Sequence, residues 1–204
     1  MASFLIHMCV CDEVNKIIKK DRKKILIGSI APDIAKLVGI NRNVTHFGEY
    51  PTFKEEEFLS KYKNNLDDDF VLGYFIHLYT DYLWDKYFIK KIYKDGILTK
   101  IDGSKIKYDG DICSFVYKDY DSLIEDVIDA YNIDLSFLKE DIPNIPYIIE
   151  EVPMNKLNIV IDKTNELVSK NVKYDLNVMN MDLINEFINL SKNKIIYKLN
   201  QIVE

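Results

Sequence analysis

Residues 70–88 read FVLGYFIHLYTDYLWDKYF, a run whose only charged side chains are Asp81, Asp85 and Lys86. A helix at a protein surface has one apolar stripe and one polar face, whereas a helix apolar on almost every side belongs inside the core. Together with the acidic cluster of LDDDF (66–70), which suits a helix start, this stretch predicts a central helix from about Asp68 to Lys91. His77 and Asp81 stand four residues apart on it, so they share one face with Cβ atoms roughly 5–6 Å apart. A carboxylate on so apolar a helix is buried. It must then be paired, protonated or bound to a metal, because an isolated buried charge is prohibitively costly.

Working outward, the predicted elements are helical on both sides. Ser3 is the expected N-cap of a first helix running to about Lys20, with its lysines gathered at the C-terminal end that the dipole favours. ILIGSIAPDIAKLVG (25–39) reads as a short helix or apolar segment, a turn at Ala31-Pro32-Asp33, and another short helix. NRNVTHFGEYPTF (41–53) is a loop or short helical turn. Residues 54–64 form an amphipathic helix. From Gly96 to Asp111 the pattern changes to two short runs, ILTKI and SKIKY, about an Asp-Gly pair, which signals a hairpin. Helices follow at 121–131 and 135–140, then the proline-punctuated IPNIPYIIEEVP (142–153), then two closing helices at 155–171 and 180–203. The fold class expected is all-α: one domain over residues 1–204, a helical bundle around a buried central helix, with one small β-hairpin.

Composition sets limits on function. The 204 residues suffice for one substantial core, and 48% hydrophobic with 29% charged residues is ordinary for a globular protein. A net charge of −6 argues against a nucleic-acid partner held through its phosphates, but not against a small phosphate ester held at a metal centre. The basic stretch Lys16–Lys24 reads as a solvated helix end or, less simply, a surface for a polyanion. No apolar run reaches the length of a transmembrane helix, and MASFLIHMCVCDE lacks the basic start and small-residue cleavage site of a signal peptide. Three cysteines without framework spacing suit reduced thiols and a cytoplasmic location; Cys9 and Cys11 read as buried core residues.

The partners available to Asp81 are few. The chain has three histidines, His7, His46 and His77. His46 lies in the predicted loop, where functional residues concentrate, and Asp33 follows Pro32 at a turn. Imidazole and carboxylate are ligands for zinc and for other first-row divalent metals, and helical bundles build such centres from inward side chains on facing helices. The expectation is a centre of one or two ions made by His7, Asp33, His46, His77 and Asp81, with zinc as the metal or another first-row divalent ion in its place. Asp33 is the candidate general base, since a turn carboxylate can reach both a metal and its water. Asp85, one turn beyond Asp81, either orients a ligand from behind or is a surface charge paired with a lysine. Trp84, Tyr79 and Tyr82 read as core packing.

The order SFLIH (3–7), GSIAPD (28–33), THF (45–47) and GYFIHLYTD (73–81) resembles the zinc-dependent phospholipase C family, whose helical fold is shared with single-strand-specific zinc nucleases. The likeness covers about residues 3–85. It implies that Asp33, His46, His77 and Asp81 bind one zinc, and that His7 binds a second that shares Asp81. It also places Ala2, five residues before His7, where that family uses a processed N-terminal amine. Members of the family take a further zinc through two downstream histidines and an acidic residue, whereas no histidine follows His77 here. The resemblance implies a metal-dependent hydrolase acting on a phosphate ester. The alternative is a non-catalytic metal-binding or interaction protein that keeps the fold. A phosphohydrolase of the HD type needs adjacent His and Asp, which this chain lacks.

Overall fold

A computed structural model describes residues 2–49, 53–170 and 172–203, and they form a helical bundle with one small sheet. The central helix α6 (Asp69–Leu83) begins at Asp68, whose carboxylate accepts from the backbone N–H groups of Phe70 and Val71. Almost every side chain along it is buried. Helix α1 (Phe4–Ile18) starts at Ser3, whose hydroxyl accepts from Ile6 N, and stops where Lys19 turns left-handed at φ 57°. α2 (Arg22–Gly28), the 3-10 turn Ala31–Asp33 and α3 (Ile34–Val38) follow. Then come α4 (Arg42–Thr45), α5 (Glu55–Tyr62), α8 (Cys113–Tyr131), α9 (Leu157–Val168) and α10 (Met181–Val203), with α7 (Ile89–Ile92) closing the central segment.

The predicted helix over 68–91 is interrupted. Trp84–Phe88 form a π turn in which Ile89 N–H reaches back five residues to Trp84 O, and α7 continues beyond it. No glycine or proline marks the site. The wider turn lets the Trp84 and Phe88 rings stack at 4.0 Å while both meet Phe187 of α10 at 4.9 and 5.5 Å. Trp84 is therefore core, as its sequence context suggested.

The hairpin is present and gains a strand. β1 (Tyr93–Lys94), β2 (Ile97–Thr99) and β3 (Lys105–Lys107) form an antiparallel sheet in that order. Asp95 and Gly96 both adopt positive φ, 51° and 74°, the requirement of a two-residue type I′ turn. Elsewhere the boundaries shift. α8 begins at Cys113 rather than 121, with Asp111 Oδ1 accepting from Cys113 N–H at 2.9 Å, and the predicted helix at 135–140 is a 3-10 turn, Ser136–Lys139. Residues 142–153 contain no regular helix or strand, as the prolines imply.

The core is densest where α2 crosses α6. Gly28 and Gly73 face each other's backbones: a Cβ at Gly28 would collide with Phe70 O, and one at Gly73 with Ile25 O. That approach brings the loop after α2, and Asp33 with it, against the His77 face of α6. The basic stretch around the start of α2 is largely occupied in ion pairs, Arg22 with Asp12 at 2.7 Å, Lys23 with Glu140 at 2.7 Å and Lys20 with Asp69 at 3.5 Å. No described helix is long and apolar enough to cross a membrane.

Candidate metal centre

Four separate segments deliver the five candidate residues. His7 sits in the second turn of α1, Asp33 in the 3-10 turn after α2, His46 at the C-terminus of α4, and His77 and Asp81 on α6. All are buried: His77 is 0% exposed, His7 1%, His46 3%, Asp81 6% and Asp33 8%. They converge. His7 Nε2 lies 3.3 Å from Asp81 Oδ1, His46 Nε2 3.6 Å from Asp33 Oδ1, and His46 and His77 Nε2 each 3.9 Å from Asp81 Oδ2. Two groups have donor atoms all within 4.8 Å of one another: His7, His77, Asp81 and Asp33, His46, His77. Burial, donor type and spacing together make these groups able to hold a metal ion.

The hydrogen bonds fix which lone pairs are available. Ser29 O lies 2.8 Å from His77 Nδ1, and a carbonyl only accepts, so Nδ1 carries the proton and Nε2 is the bare nitrogen. His46 Nδ1 lies 3.2 Å from Arg42 O and 3.0 Å from Thr45 Oγ1. The Thr45 hydroxyl already donates to Pro32 O at 2.7 Å, so His46 Nδ1 donates too. Its Nε2 then points a lone pair at that of His77, 3.3 Å away. Two lone pairs do not face each other at that distance unless a proton or a metal cation lies between them. Backbone carbonyls orienting the far nitrogens of imidazole ligands are what metal sites use to present the near ones.

The third imidazole is stacked on His77, ring centroids 3.7 Å apart and planes 14° off parallel. Both nitrogens of His7 are buried with no well-directed hydrogen bond, despite the short Nε2 to Asp81 distance. Each such orphaned polar atom is costly, and a cation nearby is one remedy.

Burial pushes the Asp33 carboxyl up, but His46 beside it and the nearby imidazoles of His77 and His7 outweigh it and hold the group well below the usual carboxylate range. For Asp81 burial again opposes, and His7 leads the groups that hold it well below its ordinary value. His77 moves the other way for a base: burial first, then neighbouring His7, keep it neutral far below its usual titration range. Two carboxylates and the bare Nε2 atoms of His46 and His77 favour a cation, and a carboxylate held so low stays ionised and is a weak base.

One cation is built in. Arg42 Nη2 lies 2.7 Å from Asp81 Oδ2, and the sequence reading did not include it. The available signal was spacing, since Arg42 precedes His46 by one helical turn and so shares its side of α4. Ala2 N–H donates to Asp81 Oδ1 at 3.3 Å. Asp85 lies half-buried in the π turn and belongs to neither ligand group. Beside the centre is a cavity of about 180 Å³ in which Asp33 and Ala2 meet apolar side chains of α1, α3, α8 and α9, with Lys36, Lys163, Tyr117 and Tyr120 also in its wall. These lining residues come from distant segments and left no local signal in the sequence.

Comparison of the chain with protein-family models, with curated proteins and with solved structures finds no match. The functional reading therefore stands on the site.

Proposed function

We propose that this chain is a zinc-dependent hydrolase of small phosphate esters, working from the His7, Asp33, His46, His77 and Asp81 centre. The observation that carries the reading is the opposed pair of bare Nε2 atoms on His46 and His77 beside Asp33, a carboxylate that also forms part of a cavity wall. A bound divalent ion supplies acidity to a coordinated water and polarises a phosphoryl oxygen. The chain's own groups do the rest. Asp33, too weak a base to store a proton, accepts a hydrogen bond from the attacking water and aims it into the cavity. The apolar wall of the cavity excludes bulk water. The likeness of the four motifs to the zinc-dependent phospholipase C family supports the same substrate chemistry. The buried, unpaired thiols of Cys9 and Cys11 suit the reducing cytoplasm.

Activity against a generic phosphomonoester and phosphodiester, with chelator and with zinc or manganese added back, tests this reading. The expected result is hydrolysis lost on chelation, restored by metal, and absent from His77→Ala together with its bound metal. Asp85→Ala, if the residue steadies the ligands from behind, lowers metal affinity or rate by roughly 10–100-fold and no more. Folded, metal-loaded protein no better than His77→Ala would leave the second reading, a non-catalytic metal-binding protein. Two observations favour that alternative: His77 is wholly enclosed, and Arg42 already covers Asp81.

A further inference from the structure

We infer that the centre takes a single metal ion per chain, bonded by Asp33, His46 and His77, and that Arg42 fills the place of a second cation at Asp81. This rests on the metal-binding reading above and departs from the two-ion arrangement that the motif resemblance implies. The first argument is a count of lone pairs. Both ligand groups include His77, but its Nδ1 is committed to Ser29 O, so only Nε2 can bind. One lone pair serves one ion, and the two groups cannot be filled together.

The second argument chooses between them. Asp81 is satisfied on both oxygens: Oδ2 by the Arg42 guanidinium at 2.7 Å, Oδ1 by Ala2 N–H at 3.3 Å with His7 Nε2 at the same distance. A carboxylate–guanidinium contact of that length in a buried site is strong and charge-neutral. Asp33 is different. Among the described residues its carboxylate meets one side chain within 4 Å, His46 Nε2 at 3.6 Å, which is beyond hydrogen-bond reach. It is the carboxylate still in want of a cation, and the opposed nitrogens of His46 and His77 stand beside it. Charge agrees: with Arg42 neutralising Asp81, one carboxylate is left for one divalent ion.

The test is a titration of metal-free protein with cadmium, read by the number of 113Cd resonances, and with zinc, read by calorimetric stoichiometry. One resonance and one zinc per chain are expected. Asp33→Asn should weaken binding by more than the roughly 10–100-fold typical of groups behind the ligands, while His7→Gln, outside the bonding group, should stay within that range. Arg42→Gln removes a positive charge near the ion and should tighten binding about tenfold, with circular dichroism confirming the fold. Two resonances or two zincs in the unsubstituted protein overturn the inference and leave the metal reading standing. So does His7→Gln losing as much affinity as Asp33→Asn, or Arg42→Gln weakening the binding. No bound ion at all overturns the metal reading, and this inference with it.

Discussion

His77 shows how one buried side chain can be held for use. Its Nδ1 is fixed by Ser29 O, its face is covered by His7, and burial keeps the ring from protonating in its ordinary range. The unfolded chain has no such restriction and takes up a proton at His77 below about pH 6.5. The unfolded state therefore binds more protons, and folding stability falls as pH drops. For metal-free protein, the His77 contribution is fully present above about pH 6.5 and is lost progressively below it. Denaturant midpoints measured from pH 8 to pH 5 should decline across that window, and His77→Asn should flatten the decline. His77 and Asp81 were legible in the sequence because a polar pair one turn apart on an apolar helix has few explanations. Arg42 was not read, since its one-turn spacing from His46 does not tell that it reaches a residue 39 positions away.

At the scale of elements, the site depends on how closely α2 and α6 approach. In an exposed helix Gly→Ala stabilises by up to about 1 kcal/mol, but at Gly73 the added methyl would collide with Ile25 O. Gly73→Ala should therefore destabilise, by about 1–3 kcal/mol if overpacking is typical, and should weaken metal binding through the displaced α2 loop. Thermal unfolding fixes the sign, and unchanged or raised stability would contradict the close crossing. A second device lies outside the candidate ligand groups. Asp119 on α8 is fully buried, and its carboxylate accepts from the backbone N–H groups of Asn177, Val178 and Met179 at 2.7–2.9 Å. It anchors the chain ahead of α10. Asp119→Asn should cost about 1–3 kcal/mol, and amide exchange at 177–179 should accelerate well above that of α6. The helices themselves were readable from caps and periodicity: Ser3, Asp68 and the Asp-Gly turns behave as their chemistry dictates. The π turn was not, because it arises from Trp84 and Phe88 both packing on Phe187, a contact made across about 100 residues of chain.

For the whole molecule, the near-continuous apolar surface of residues 70–83 settles the architecture: a helix buried on most sides needs the others around it. The candidate site follows from that burial, since segments packed around α6 bring polar residues to the His77 face: His7 from α1, Asp33 from the turn after α2, His46 from the end of α4. The sequence showed which residue types had to meet. It did not show how many ions they would hold, because that depends on the tautomer of His77 and on Arg42, both set by tertiary contacts. The central claim is that these side chains bind a metal directly, and X-ray absorption at the zinc edge of the loaded protein tests it most directly. The account predicts a first shell of nitrogen and oxygen at ~2.0–2.2 Å, with the outer scattering of two imidazole rings that disappears in His77→Ala. A shell of water oxygens alone, or sulfur at ~2.3 Å from the cysteines, would contradict it.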